Sequence, residues 1–565
     1  MLKRLVFSIF IFLLLPESFV LAQHTYIPLG QQSMHLLDRF EIKNGELNHD
    51  YFHTSNKSYR RKAIAEFITQ LKDSTNNKWS KQDLFNLDYL QTDNFEWSNS
   101  KNTSSKKKFG KSIYQEKAAF FSVVHPQYSI VLNPVLYYQV SGDQTNGQMA
   151  LINNRGLELR GHIGKNIGYY SQISDELLNP LSYSWKRYQY DTSFMYVNFY
   201  KGEPNGGISY FSSNAYISAN LNQYMDLQFG HTRNFIGDGY RTFILGDNQP
   251  EYLNMKLSTR FWKLNYTNIW AELRDYPNGK ALGWGRTPQP KHYMAAHHLS
   301  INLHKNFNLG IFETILFQRD SGHATTGFEL NYLNPIIFYK SVENGLNSVD
   351  KAIIGLNAKW NIKKKISLYS QFVIAEMVLK DLLAGNGSYT NKFGVQGGMK
   401  YIDAFGLNNL DLQGEINISR PYMYTSYLPR NSYSNFRQSM GHPLGGNFKE
   451  IIGIIRYQPI ERISILAKLI AYTQGLDTNG SNWGSNIRKS YLDQTNIIGN
   501  TIGQGIKVNT YLAELITTWM PKHNLFIDAR YTYRKASSTV DWFNDKTNFF
   551  SLAVRYNFGY RNYDY

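Results

Sequence analysis

The side chains best suited to chemistry in this chain are arginines and aromatic rings that fall together in polar, glycine-rich stretches. One stretch, 421–445, holds Tyr422, Tyr424, Tyr427, Tyr433 and Phe436 with Arg430 and Arg437, and another, 275–290, holds Tyr276, Trp284 and Arg286. An aromatic face stacks on the C–H face of a sugar, and a planar guanidinium takes a carboxylate or phosphate in a two-point contact. Trp284, Arg286, Tyr427, Arg430, Tyr433 and Arg437 are therefore the candidate binding residues, and an anionic glycan is the ligand class they suit. Each ring taken singly reads equally well as a membrane-girdle residue or a loop-packing anchor. The coincidence of rings with arginine tips the balance toward binding.

Other constellations carry less. Gly237-Asp238-Gly239 lacks the strand-to-helix context that aims backbone N–H groups at phosphate, and reads as a tight turn folding its loop into a barrel mouth. Asp247 and Asn248 could accept sugar hydroxyls, but an Asx-type turn before Pro250 is the stronger reading. Asp477, Asn479, Asn482 and Asn486 supply oxygens without an EF-hand register and with a single charge, so a polar loop is favoured over a calcium site. His297 and His298 point to opposite faces of a strand and cannot share one metal ion, and His292 does not change this. His323 after Ser321-Gly322, and Ser300 after His298, have no third group to orient a base and no oxyanion-hole motif. The expectation is a protein without enzymatic activity, metal or cofactor. The chain contains no cysteine, which excludes disulfides, thiolate zinc sites and an N-terminal lipid-modified Cys.

The elements that must position these residues follow from a period of two. Leu157, Leu159, Gly161 and Ile163 alternate with Glu158, Arg160 and His162; Leu412, Gly414, Ile416 and Ile418 alternate with Gln413, Glu415 and Asn417; Phe550, Leu552, Val554, Tyr556 and Phe558 alternate with Ser551, Ala553, Arg555 and Asn557. Short turns fall near Lys165-Asn166, Asn220 to Asn222, Arg260-Phe261, Lys305-Asn306, Ile362 to Lys365, Phe405 to Asn408, Pro459 to Arg462 and Pro521 to His523. Long polar stretches lie between them, at about 141–153, 175–206, 232–250, 275–290, 319–349, 377–389, 421–445, 474–506 and 535–545. Nine long connections alternating with eight short ones specify an all-β, transmembrane outer-membrane barrel of about 18 antiparallel strands, with short turns in the periplasm and long loops outside. The aromatic strand ending at Tyr565 is expected to close the barrel at the periplasmic rim and to serve the barrel-assembly machinery.

Residues 23–120 differ from the rest. Ala63, Ile64, Phe67, Ile68 and Leu71 have helical spacing and Ser80 to Leu84 opens a second helix, so a small periplasmic helical region is expected, followed by a Ser/Asn/Lys-rich solvated linker over 98–111. Ahead of it, Lys3 and Arg4, the apolar run Leu5 to Leu15 and Val20-Leu21-Ala22 read as a signal peptide over 1–22, with Gln23 as the mature N-terminus. The run is well short of the about 20 residues that span a bilayer. The expected organisation is thus 1–22 signal peptide, 23–120 helical region and linker, and 121–565 barrel. A chain 15% aromatic with mean hydropathy of −0.43 fits strands that are apolar on one face only. The net charge of +17 points in an exported barrel to lipopolysaccharide phosphates or acidic polysaccharide, because no base-reading module accompanies it and nucleic acid is not an expected partner.

Gly230 to Pro250, with its Gly237-Asp238-Gly239 turn, the apolar triplet Phe243-Ile244-Leu245 and the pair Asp247-Asn248 before Pro250, resembles a motif of the capsule-assembly Wzi family of outer-membrane barrels. Leu333-Asn334-Pro335 through Phe338 to Asp350, followed by a strand ending near Glu376, resembles a second. The form resembled is that of Bacteroidetes, which is also similar to gliding-motility RemB-like proteins. The resemblance implies an 18-stranded barrel in a Gram-negative outer membrane, a periplasmic helical bundle, and loops that fill or cap the lumen. It further implies a surface lectin that holds capsular or exopolysaccharide by non-enzymatic binding. The alternatives it leaves are a motility or adhesin-export accessory that binds motility or secretion proteins, and a passive porin.

Overall fold

The computed structural model describes residues 25–48, 50–74, 78–98, 101–145, 147–204, 206–275, 290–320, 325–336, 338–346, 350–478 and 480–565. Eighteen antiparallel strands, from Tyr128–Asp143 to Asp545–Tyr556, close into a barrel, and the last pairs with the first from Phe549 opposite Asp143 to Tyr556 opposite Leu136. The alternation seen in the sequence is the alternation of the wall. On the strand Lys351–Ile362, Ile354, Leu356 and Trp360 face outward while Asn357, Lys359 and Asn361 are buried in the lumen. Apolar side chains outside and polar ones inside are the reverse of a soluble β-sandwich and the arrangement lipid demands. All eight short turns lie within a few residues of their expected places, and they form one rim; the long connections form the other.

The N-terminal residues are not a free domain beside the barrel but a plug seated in its short-turn mouth. Helix α1 (Ser33–Asn44), for which the sequence reading had no element, stops at Gly45, whose φ of 85° lets its N–H reach back to the carbonyls of Glu41 and Ile42. Helix α2 (Arg61–Asp73) buries the expected face of Ala63, Ile64, Phe67, Ile68 and Leu71. Helix α3 (Lys81–Asp93) starts at a capping box in which the Asp83 N–H donates to Ser80 Oγ at 3.0 Å and the Ser80 N–H donates to the Asp83 carboxylate at 3.1 Å. Their shared core, around Phe40, Phe52, Phe67, Leu87 and Leu90, takes in Met520 and Phe526 from the wall. Polar contacts then tie the plug around the rim: Arg60 to Asp226 (2.8 Å), Gln82 to the Pro459 carbonyl (2.9 Å), Asn86 to Gln458 (2.7 Å) and Tyr89 to Asn524 (2.7 Å). Deeper in, Lys359 of the wall meets Asp38 at 2.9 Å and Glu41 at 2.6 Å, and Arg39 reaches Asp83, Asp403 and Asp411. Burial raises the Asp38 carboxyl, but the ammonium groups of Lys359 and Lys400 outweigh it and hold the group far below the usual carboxylate range.

Three segments depart from expectation. The last strand ends at Tyr556, not Phe558, because Asn557 turns left-handed (φ 52°) and sends residues 558–565 inward, up the lumen. The Tyr560 N–H donates to the Gly30 carbonyl of the plug at 3.0 Å, Arg561 pairs with Glu176, and Asp564 accepts from Tyr240 (2.7 Å), Lys468 (2.5 Å) and Arg241. The expected periplasmic closure at Tyr565 is thus a buried tail. The described part of the stretch 319–349 does not rise as a free loop either: Tyr332 and Tyr339 pack on outward-facing Trp270, Tyr293 and Phe317, and the Trp270 indole N–H donates to the Tyr332 carbonyl at 2.9 Å. This flap shields the His297–Glu313 pair (3.0 Å), whose carboxylate also accepts the N–H groups of Tyr339 (2.8 Å) and Lys340 (3.0 Å). Lastly, the Lys-rich stretch expected as a solvated linker folds as a small hairpin, with bridges between Ser104 and Glu116 and between Phe109 and Ile113.

Candidate ligand cavity at the long-loop mouth

Inside the long-loop rim, five connections and the tail enclose about 1140 Å³ of space, part of it continuous with solvent. The loop after Ile167–Asn179 contributes helix α4 (Ser182–Asp191), whose i, i+3 and i+7 positions set Tyr183, Lys186 and Tyr190 on one face with Arg187 beside them. The connection 477–505 brings Asn486 and Arg488, the last connection brings Trp542, Phe543 and Asp545, and the wall adds Tyr472 and Arg534. Tyr565, at the end of the tail, lies among the lining residues; its hydroxyl donates to Glu450, which also pairs with His442 at 2.7 Å.

The connection 420–447 supplies Arg437 in an unusual way. Ser434 pairs with Ser439 and Asn435 with Gln438, which leaves Phe436 and Arg437 as a two-residue hairpin turn. Both are left-handed, at φ 47° and 65°, the conformation for which a type I′ turn selects Asn and Gly. Two side-chain-bearing residues thus hold backbone strain at this turn. The turn presents a guanidinium whose Nε and Nη1 are buried with no acceptor among the described residues. Burial, and after it the charge of Arg488, push this group down to about 10.

The cavity has a positive balance: Lys186, Arg187, Arg437, Arg488 and Arg534 line it against Asp191 and Asp545. Several cations are already engaged, Arg187 by Asp191 (3.0 Å) and the Pro443 carbonyl (2.8 Å), Lys186 by Asp545 (3.4 Å), and Arg488 by Asp275 outside the lining. Arg437 is the one with the least, its Nε and Nη1 having no acceptor among the described residues. The rings of Tyr190, Trp542 and Phe543 supply stacking surfaces around it, while Tyr183, Tyr472 and Tyr565 are buried in its wall.

Of the loop residues singled out in the sequence, Arg437, Asn248 and Asn486 line this cavity. Tyr427 is exposed and Arg430 half-buried, at the crown of the same connection. Tyr433 is fully buried, its hydroxyl donating to the Ile244 carbonyl at 2.5 Å, and Tyr422 and Tyr424 donate likewise to Asn482 (2.7 Å) and Phe243 (2.9 Å); these rings anchor the loop in the lumen instead of offering a face to ligand. Trp284 and Arg286 lie outside the described residues, as do Tyr276, His323 and Asn479. Asp477 accepts the N–H groups of Trp483 (2.6 Å) and Asn486 (3.0 Å), so its oxygens organise the loop. His298 turns into the lumen toward Asn357 (2.7 Å), opposite His297, as a strand requires.

The Gly237-Asp238-Gly239 turn does fold inward, and further than a mouth turn would. Phe235–Ile236 pairs with Asn56–Lys57 of the plug, the Gly237 N–H donates to the Ser55 carbonyl at 2.8 Å, and Asp238 accepts from Ser55 Oγ at 2.7 Å. A Cβ at Gly239 would stand 2.5 Å from a Glu415 carboxylate oxygen, and one at Gly237 2.8 Å from Gln371 Nε2, which explains both glycines by close approach. Asn248 donates to the Ser439 carbonyl at 2.9 Å, Arg233 donates to the Asp247 carbonyl at 3.0 Å, and the Pro250 carbonyl accepts from Asn435 at 3.3 Å. The motif is a latch joining loop, wall and plug. The residues missed in the sequence, Tyr183, Lys186, Arg187 and Tyr190, carried a usable signal in their helical spacing inside what was read as an irregular loop.

No protein-family model matches the chain, and no curated protein matches it by sequence. Among solved structures the chain is similar to Wzi of Escherichia coli, described as a carbohydrate-binding β-barrel of the outer membrane involved in group 1 capsule assembly, with a TM-score of 0.57 and 11% identity over 95% of this chain and 100% of that one. Weaker likenesses are to OprD of Pseudomonas aeruginosa (TM-score 0.41, 10% identity, 76% of this chain and 94% of that) and OccAB2 of Acinetobacter baumannii (TM-score 0.41, 9% identity, 76% and 97%). The fold that the sequence resemblance implied, a Wzi-type barrel together with its helical N-terminal region, is the fold this chain adopts.

Proposed function

We propose that this chain is an outer-membrane surface protein that holds an anionic capsular or exopolysaccharide by non-enzymatic binding, with the plug in the periplasm and the long loops outside. The observation that carries the reading is the aromatic-lined, cation-rich cavity at the long-loop mouth, with Arg437 in its lining. The carbohydrate binding described for the structurally similar Wzi supports the same ligand class. Plug, inward loops and tail all enter the lumen and narrow it, which supports binding over passive conduction. The test is retention of the organism's own surface polysaccharide by the purified protein, paired with deletion of its gene. Deletion should move polymer from the cell surface to the medium while total polymer stays constant. Unchanged cell-bound polymer, with no binding by the purified protein, would remove the reading.

A further inference from the structure

The hairpin that replaces the expected linker is placed as well as shaped for a task. The Ser105 N–H donates to Gln115 O at 2.9 Å, the Lys117 N–H to Thr103 O at 2.9 Å, and the Tyr114 N–H to Phe120 O at 2.8 Å, so the segment is a finger with its own ladder. Its tip reads Lys106-Lys107-Lys108-Phe109-Gly110-Lys111; Gly110 makes the turn at φ 60°, all four lysines are exposed, and the Phe109 ring is 71% exposed. The strand that follows, Phe121–His125, pairs with Tyr128 to Leu132 of the first barrel strand, alongside the stretch of that strand below the point where the last strand stops at Tyr556 opposite Leu136. Tyr114 lies beside the side chain of Tyr556, which shares the outward face of its strand with exposed Leu552 and Val554. The finger therefore stands on the lipid-facing side of the barrel seam, at the short-turn rim. That rim carries exposed Trp262 and Phe405 and a run of exposed cations, Lys165, Lys263, Lys305, Lys363, Lys364 and Lys365.

We propose that the finger is a lipid anchor: Phe109 enters the headgroup region of the leaflet meeting the short-turn rim, and Lys106, Lys107, Lys108 and Lys111 engage the phosphates of anionic phospholipids. An aromatic ring flanked by cations is the amphipathic pattern that lies in a membrane interface, the ring in the acyl boundary and the ammonium groups at headgroup level. An apolar ring left in water at the tip of a built hairpin has no other explanation in the fold. This inference rests on the barrel alone, and the polysaccharide reading can fail without it.

The chain has no cysteine, so Phe109→Cys in the full-length protein accepts a single environment-sensitive fluorophore. The labelled protein is reconstituted in vesicles of phosphatidylethanolamine with phosphatidylglycerol, and in vesicles of phosphatidylcholine, each with and without brominated acyl chains. The expected result is blue-shifted emission quenched by bromine, more strongly with phosphatidylglycerol. Replacing Lys106, Lys107 and Lys108 with Gln should cut the anionic preference by roughly fivefold per lysine. Aqueous emission without quenching, equal quenching in both lipids, or a preference that survives the Lys→Gln changes would each overturn the proposal.

Discussion

Replacing Arg437 with Met should weaken polymer binding and strengthen the free protein, and the opposite signs are the point. The guanidinium sits on a two-residue turn with both residues left-handed, at φ 47° and 65°, and its Nε and Nη1 are buried without an acceptor among the described residues. A carboxylate taking both N–H groups would form two charge-assisted hydrogen bonds, each worth about 1.5 kcal/mol at the low end. Their loss is about 3 kcal/mol, or roughly a hundredfold in affinity. In the free protein the same N–H groups cost about 1 kcal/mol or more by staying unpaired, and an apolar isostere removes that cost while keeping the stem. Arg437→Lys keeps the charge but loses the fork, and should fall between, at about tenfold. The assays are polymer retention on immobilised protein and the urea midpoint of the same preparations. Arg437→Met with unchanged retention and a lower midpoint would refute the reasoning, because it would make the residue a packing anchor whose strain serves the loop alone.

Two further predictions concern the inward tail and the loop above it. Asp564→Ala strips the carboxylate from Lys468 and Arg241 while all three are nearly fully buried, a loss of about 3–5 kcal/mol for a broken buried pair; Lys468 keeps Glu514 at 2.9 Å, so the tail should undock while the barrel stays folded, and planar-bilayer conductance with an unshifted heat-modifiable gel mobility checks both halves. Burial lowers the His442 imidazole despite its Glu450 partner, with Arg241 and Arg187 adding to the same direction. The unfolded loop therefore binds a proton that the folded loop resists, and stability is constant above the unfolded value of about 6.5 and falls as pH drops below it; thermal unfolding between neutral and mildly acidic pH should show this loss, and His442→Gln should flatten it.

Local patterns were legible where a local cause decides the structure. Apolar-polar alternation such as Leu412 to Ile418 survives into the wall because lipid and lumen read each residue independently, and the turns at Lys165 or Lys363 to Lys365 need only their own residues. The tail was misread because Phe558 and Tyr560 continue the alternation of Leu552 to Tyr556, and the break is one residue, Asn557, stabilised by its bonds to Asn524 O (3.0 Å) and Pro134 O (2.9 Å). The flap was misread because Tyr332 and Tyr339 choose between the mouth and the outer wall by contacts with Trp270 and Phe317, which no nearby residue announces. Arg437 was found by type and company, yet the groups that make its surroundings a cavity, Arg187 and Arg534 among them, lie far away in the chain. Tyr433 was selected on the same grounds and is buried, since ring and guanidinium in one loop do not say which of them faces inward.

The charge arrangement along the lumen explains why such a site would hold a polymer without passing it on. Below Tyr565, Arg241 is paired with Asp564, and Lys468 with both Asp564 and Glu514. Burial raises the Asp564 carboxyl, but Lys468 and Arg241 outweigh it and keep it ionised far below neutral pH, so this pairing does not relax under ordinary conditions. Above Tyr565, Arg437 has no such partner among the described residues. An anionic unit that reached Arg437 would find Arg241 and Lys468 beneath it already neutralised. Conduction needs successive sites of comparable strength along a pore. A site at Arg437 above this paired layer would favour retention, and Asp564 of the inward-folded tail is what pairs the layer.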